Sequence, residues 1–265
     1  MKSKKLLISL AVVAFVIVLI VVMIAVFSVK SVEVRYHDFS GREIVAVEGE
    51  GVVPDEILAM IKGNSTVFLS KTNLIDRINE THSEWHAFAV VKNFPSTVEV
   101  HFVRRTVIAK ISIDGKDVYV DSFGYVVATP EQDACIDISS AFVSPVPSTK
   151  TCEEGKPLEF VHEQYNARLN YVLEAILAVW RCKVEVENIP LVLGQDNVFT
   201  FDGDGNMFIS PKGGTGGTIK VISPETNLSN RLIKGYGVYY NGAQSWDDHD
   251  VITVHKNGSI TSPDK

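Results

Sequence analysis

The chain has 265 residues, and its 25 Lys and Arg against 32 Asp and Glu give a formal net charge of −7. Three of the basic residues precede Lys30, so the balance from there onward is about −10. An acidic chain of this kind excludes nucleic acid as a natural partner and disfavours a role lying flat on anionic lipid, which needs clustered Lys or Arg.

The first element is an uncharged, mostly apolar run from Leu6 to Val29. At ~1.5 Å per helical residue it reaches ~36 Å against a ~30 Å hydrocarbon core, so a transmembrane helix with modest tilt is expected over 6–29. Lys2, Lys4 and Lys5 precede it and Lys30 alone follows closely, which places 1–5 as a cytoplasmic tail and the rest outside. A cleaved secretory signal would need an apolar core of ~7 to 15 residues and a small-x-small cleavage site, and Val26 to Lys30 supplies none. The expected placement is the cell membrane, single-pass, with the N-terminus cytoplasmic and the C-terminus extracytoplasmic. About 235 residues then remain outside, enough for two domains.

Next, Ile44 to Glu48 alternates as a short strand ended by Gly49 and Gly51. Pro54, Asp55 and Glu56 open a helix with Ile57, Leu58 and Ile61 on its stripe and Gly63 as its stop. A second helix runs from about Lys71 to Asn79, capped by Ser70 and burying Leu74, Ile75 and Ile78. Ala87 to Lys92, a turn at Phe94-Pro95-Ser96, and Val98, Val100 and Phe102 make a hairpin with one buried face. The order β-α-α-β-β predicts two helices on one side of a three-stranded sheet.

Beyond Ala109 the signals are mostly β. Val118 to Asp121 and Tyr125 to Ala128 flank Ser122-Phe123-Gly124 as a hairpin, and Ser139 to Pro157, with Pro145 and Pro147, has little periodicity. A long helix is expected over 160–181, with Tyr165, Leu169, Val172, Leu173, Ile176 and Trp180 on one stripe. Short strands are expected at 183–187, 197–201, 207–210, 218–222, 237–240 and 251–255. The whole reads as α+β: a transmembrane helix, a small unit over 30–109 with its linker, a mostly antiparallel β domain over 110–256 covered by one long helix, and a tail over 257–265.

No catalytic motif stands out. His82 and His86 have i, i+4 spacing, but Ser83 holds the position where a zinc protease needs glutamate, and surface histidines are the expectation. Asp202-Gly203-Asp204-Gly205-Asn206 begins like a calcium loop, yet Met207 replaces its turn glycine and Gly213 its bidentate glutamate, so a hairpin turn is expected. No metal or cofactor is expected. Cys135, Cys152 and Cys182 are spaced too widely for a CxxC site and cannot all pair, which leaves one disulfide plus a thiol, or three thiols. If one pair forms, Cys135 with Cys152 is expected, closing a loop of ~15 residues worth ~3 kcal/mol, with Cys182 a buried thiol.

With these elements in place the chain resembles the bacterial cell-division proteins of the FtsQ/DivIB family. The residues that carry the resemblance are Val45, Val47 and Gly49 at the first strand, Gly63-Asn64 with Val67-Phe68-Leu69 between the helices, and Trp85 before an apolar strand. Lys92 to Val100 with its Phe94-Pro95 turn, Arg105 and Ala109 after the returning strand, and Val120-Asp121 with Gly124 complete the pattern. Arg104, Val107 and Glu50 depart from it, standing where the family carries glutamate, proline and asparagine. The resemblance implies a POTRA domain followed by a β domain in a non-enzymatic scaffold of the septal divisome. It also implies small bitopic partners of the FtsB/DivIC and FtsL types, and through them the septal peptidoglycan synthase. Arg105, just past the last POTRA strand, is a candidate for an acidic partner that sets the angle between domains.

The family places a partner strand at the C-terminal edge of the β domain. Val238, Tyr239, Tyr240, Trp246, Val251, Ile252 and Val254 are the candidate docking residues, because an edge strand offers unpaired N–H and C=O groups and aromatics anchor such contacts. The alternative for these residues is internal packing. Asp247, Asp248 and Asp250 would steer a basic partner segment to this edge. The competing functional readings are a membrane-anchored cell-wall enzyme or protease with an unrecognised site, and a POTRA protein of secretion or outer-membrane assembly.

Overall fold

In a computed structural model the described residues are 2–39, 41–45, 53–129, 135–142, 148–185, 197–210, 216–241 and 246–263, without the side chains of 2–9, 11 and 180–185. They form a mixed α+β chain of two compact units, Met1–Arg104 and Arg105–Lys265. The strand expected over 44–48 falls largely on residues outside this set, as do Gly49, the 143–147 prolines and the side chain of Cys182.

Helix α1 covers Lys2–Phe27. Among the described residues no helix is long and apolar enough to cross a membrane. This overturns the transmembrane helix expected over 6–29 and the single-pass placement built on it. The end of the apolar run belongs to the first unit. Val29 is only 3 % exposed in its core, and the Phe27 carbonyl accepts from both Thr66 N–H (2.6 Å) and Thr66 Oγ1 (2.9 Å).

The first unit has strands β1 (Ser31–His37) and β2 (Glu43–Ile44), helices α2 (Asp55–Ile61) and α3 (Lys71–Thr81), and strands β3 (Trp85–Asn93) and β4 (Thr97–Arg104). The strands lie in the order β2-β1-β4-β3. The first strand of this unit is 31–37. Val32, Val34 and Tyr36 pack inward from it, while it runs parallel to β4 from the pair Ser31/Thr97 to the pair His37/Val103. Ser70 caps α3 by accepting from Asn73 N–H at 3.4 Å. Ile57 and Ile61 of α2, Leu74 and Ile78 of α3, and Val90, Val98, Val100 and Phe102 of the sheet form one core. The Phe94–Pro95 peptide in the β3–β4 turn is cis.

Strand β3 is an edge, and a register irregularity at Phe88 disturbs its ladder with β4. Asn79, 3 % exposed near the end of α3, covers the backbone beside that irregularity: its Nδ2 donates to Ala87 O at 3.0 Å and its Oδ1 accepts from Ala87 N at 2.7 Å. A side-chain amide here imitates a neighbouring strand.

The second unit opens with a hairpin of β5 (Ala109–Ile113) and β6 (Lys116–Val120), joined by Asp114-Gly115 with φ of 51° and 74°. Two successive positive φ values belong to the tight hairpin turn that Asp-Gly favours. Strands β7 (Val126–Val127) and β8 (Ile136–Asp137) complete a sheet in the order β7-β6-β5-β8. A 3₁₀ turn at Ser139–Phe142 and the pair β9 (Thr149–Thr151) and β10 (Glu159–Phe160) occupy the stretch without periodicity. Helix α4 (Glu163–Glu185) buries Leu169, Val172, Leu173, Ile176 and Val179. It continues through 183–185, where the start of a strand was expected.

The last sheet holds β11 (Val198–Phe201), β12 (Met207–Ser210), β13 (Thr218–Val221), β14 (Val251–Val254) and β15 (Ile260–Thr261), in that spatial order. β13 and β14 are parallel and joined by helix α5 (Leu228–Asn241). The Asp202–Asn206 turn joins β11 to β12, and Asp202 spends its carboxylate there. Its Oδ1 accepts from Asp204 N and Asn206 N at 3.0 and 2.9 Å, and its Oδ2 from Asn206 Nδ2 at 2.9 Å.

Candidate docking edge and its supports

Residues 237–240, expected as an edge strand, lie inside α5. Val238, Tyr239 and Tyr240 are therefore helical. Leu228, Leu232, Tyr236 and Tyr239 recur at helical spacing and are all buried, with Tyr236 and Tyr239 at 0 % exposure. Gly235 brings this helix against the sheet, since a Cβ there would stand 2.8 Å from Val254 Cγ2. The β-prone residues of 237–240 misled the reading because burial on a helix stripe overrides propensity.

Trp246 is turned inward. Its Nε1 donates to the Tyr239 carbonyl at 2.7 Å, and its Cβ would lie 3.1 Å from a Cβ on Gly217, whose φ is +91°. The acidic segment is also used internally: Asp248 Oδ1 accepts from Gly216 N at 3.0 Å and Asp250 Oδ2 from Asp247 N at 2.7 Å. Each such bond removes part of the charge's freedom to steer a partner.

Strand β14, which carries Val251, Ile252 and Val254, is an interior strand flanked by β13 and β15. Ile252 and Val254 are buried at 1 % and 0 %, while Val251 is exposed. The free edge lies one strand further on, in β15, inside the segment expected to be a tail. Asn257 sets the turn before it, its Oδ1 accepting from Ser259 N at 3.0 Å and Ser259 Oγ at 2.7 Å. With His255 N–H on Ser259 O at 2.9 Å, the alternation of an antiparallel ladder turns the Ile260 N–H and C=O away from β14. Among the described residues no strand pairs with that side of β15.

Beneath this edge, Arg231 fills the carboxyl end of the parallel pair. It is 3 % exposed, and its guanidinium donates to Ser223 O (2.9 Å), Thr226 O (2.8 Å), Val254 O (3.3 Å) and Ile222 O. The position where open parallel sheets commonly hold a ligand is thus occupied by the chain's own side chain. Burial lowers the Arg231 pKa, with Glu225 acting in the opposite sense.

Three residues expected as family-motif positions do converge. Arg105 and Asp121 are buried, with Nε and Oδ2 4.0 Å apart, and the guanidinium lies 4.3 Å from the Tyr125 ring centroid and donates to Gly155 O at 3.3 Å. Asp121 Oδ1 accepts from Phe123 N and Tyr125 N at 2.8 and 2.9 Å, across a turn that Gly124 closes with φ of 76°. Burial pushes the Asp121 carboxyl up to about 6, outweighing the backbone hydrogen bonds and Arg105, which pull it down. The acidic partner of Arg105 belongs to its own unit, so the pair locks a turn of the second unit. In the first unit Trp85 is buried against Tyr36 and Phe102, while Phe94 is largely exposed with its ring edge toward Phe27. His86, expected on the surface, is buried on β3.

No disulfide joins Cys135 and Cys152. Cys135 is buried and Cys152 exposed, and both stand as thiols. Sequence reasoning missed Arg231, Asn79 and the β15 edge. Only the Asn257-Gly258 turn signal pointed to the last of these. No protein-family model matches the chain, and no curated protein matches it.

Proposed function

We propose that this protein is a non-enzymatic scaffold of the cell-division machinery, of the FtsQ/DivIB type, that docks FtsB/DivIC-type and FtsL-type bitopic proteins. Through them it helps regulate the septal peptidoglycan synthase. The observation that carries the reading is the open outer edge of β15, because main-chain groups on a free edge are satisfied by an added strand without any catalytic apparatus. Supporting it are the β-β-α-α-β-β order of the first unit, with its two helices followed by a hairpin, and the Arg105–Asp121–Gly124 lock, which brings family-motif residues into one turn. The docking element is β15, and the exposed Val251 on its neighbour is the one expected docking residue with an open apolar side chain.

The test is co-purification of the two bitopic proteins with the full chain and with Ile260→Pro. Proline removes an outward N–H from β15 and leaves α5 and β14 in place. Capture by the unchanged chain and its loss in the variant support the proposal, as does filamentation of cells depleted of the protein. Equal capture by both chains would exclude docking on β15, and normal division after depletion would exclude the divisome role.

A further inference from the structure

On the sheet face of the first unit opposite its core, a line of hydrogen-bonding groups runs from the β1–β2 turn across two strands, β1 and β4. Gly41 O lies 3.2 Å from His37 Nδ1, His37 Nε2 lies 2.9 Å from His101 Nδ1, and His101 Nε2 lies 3.0 Å from Glu99 Oε1. Both ends of this line are acceptors. A backbone carbonyl and a carboxylate each require an N–H from the ring nitrogen they face. The two inner nitrogens face one another, so that contact requires a third proton.

Two neutral imidazoles carry only two N–H groups. However those two are placed, at least one contact is lost: at Gly41 O if His37 donates to His101, at Glu99 if His101 donates to His37, or between the rings if each donates outward. A pair holding three protons, and so one positive charge, satisfies every contact. A metal ion does not take the proton's place. The ring centroids are 5.1 Å apart, close to the roughly 5.2 Å of rings aimed head-on at this nitrogen separation. An ion on that line would be ~1.5 Å from each nitrogen, where Zn–N bonds need ~2.0 Å.

We infer that His37 and His101 form a proton-operated clasp that fastens the β1–β2 turn to the sheet through one shared proton. The charged and titratable surroundings fit a single positive charge. Glu99 of β4 is shared with Arg35 of β1 at 3.5 Å, and Arg35 also meets Glu43 of β2 at 3.0 Å. Glu33 of β1 is the register partner of Glu99, and in the turn Asp38 Oδ1 accepts from Arg42 N at 3.0 Å. From β3, the Phe88 ring stands edge-on to both imidazoles at 5.0 and 5.8 Å, and His86 is the register partner of Val103, which itself pairs with His37. The side chain of His101 is 20 % exposed, so protons can enter and leave. When the shared proton leaves, one contact of the line, at Gly41, between the rings or at Glu99, must open. The short strand β2, which caps the free side of β1, is then no longer tied through its turn to β4.

The experiment is amide hydrogen exchange of the full chain across about pH 5 to 8, where histidine charge changes, corrected for the intrinsic pH dependence of exchange. Ring ¹⁵N spectra report the tautomers. The amides of Asp38, Gly41 and Arg42, which hold the turn, should lose roughly fivefold in protection as pH rises and the shared proton is lost, the loss of one hydrogen bond. In Glu99→Gln the amide can donate to His101 Nε2 and complete the neutral pair, so the protection should no longer vary with pH. Turn protection in the unchanged chain that is flat through the histidine transition, or a pH dependence that persists in Glu99→Gln, overturns the clasp.

Discussion

Replacing Asn79 by Ala should destabilise the first unit by about 2 to 4 kcal/mol. The side chain makes two hydrogen bonds to one residue, donating to Ala87 O at 3.0 Å and accepting from Ala87 N at 2.7 Å, at a position only 3 % exposed. Removing it leaves a backbone N–H and a C=O without these partners on the edge strand, at ~1 to 3 kcal/mol each, less what water recovers. In a unit of this size that corresponds to a melting shift of roughly 10 to 25 °C. Asn79→Asp separates the two bonds: the acceptor is kept, but a second acceptor now faces Ala87 O. Its stability at neutral pH should therefore resemble that of Asn79→Ala and partly recover toward about pH 4, where a carboxyl can donate. Urea unfolding followed by hydrogen-exchange mass spectrometry of peptides spanning 71–93 isolates this unit from the second. A loss below about 0.5 kcal/mol in Asn79→Ala, within the range of ordinary surface changes, would refute the edge-covering role.

Asp121 is more easily protonated folded than unfolded, about 6 against 3.8. Its contribution is therefore full below about pH 4 and is lost as pH rises through about 6, by up to ~3 kcal/mol relative to Asp121→Asn; denaturant midpoints of the two proteins that keep a constant difference from pH 4 to 7 would contradict it. Two helix glycines should answer oppositely to alanine. Gly235→Ala forces a Cβ to within 2.8 Å of Val254 Cγ2 and should cost ~1 kcal/mol or more, whereas Gly237→Ala meets nothing within 4 Å and should gain ~0.5 to 1 kcal/mol, both read by thermal unfolding. Iodoacetamide under native conditions should label the exposed Cys152 and reach the buried Cys135 only after unfolding, with mass spectrometry finding no 135–152 crosslink.

Local signals carried the parts of the fold that depend on near neighbours. Ser70 as a cap, the α3 and α4 stripes and the Phe94-Pro95 turn were all legible because each rests on residues a few positions apart. The alternation of Val32, Val34 and Tyr36 was equally legible, but the nearby apolar run and the Gly49 motif drew the strand to 44–48. Asp114-Gly115 between alternating residues likewise announced a hairpin one strand earlier than the one expected. What stayed hidden was non-local. The parallel register of β13 with β14 is set across an intervening helix, and the role of Arg231 depends on carbonyls from two separate segments, 222–226 and Val254. The sheet's edge was misplaced for the same reason: an edge is a property of the whole sheet's order, and 251–255 becomes interior once β15 pairs with it.

The α5 crossover also imposes a schedule on synthesis. β13 ends at Val221 and its parallel neighbour is complete only at Val254, so at ~5 to 20 residues per second the ribosome leaves that edge without its partner for roughly 2 to 7 s. During that interval the buried face of α5, with Leu232, Tyr236 and Tyr239, has only part of its sheet to lie on. A chain released early, by a nonsense codon or a protease cut after α5, would carry an adhesive strand edge and an uncovered aromatic stripe. Such fragments are substrates for chaperones and degradation, so the final strands act as a completeness check on the whole second unit.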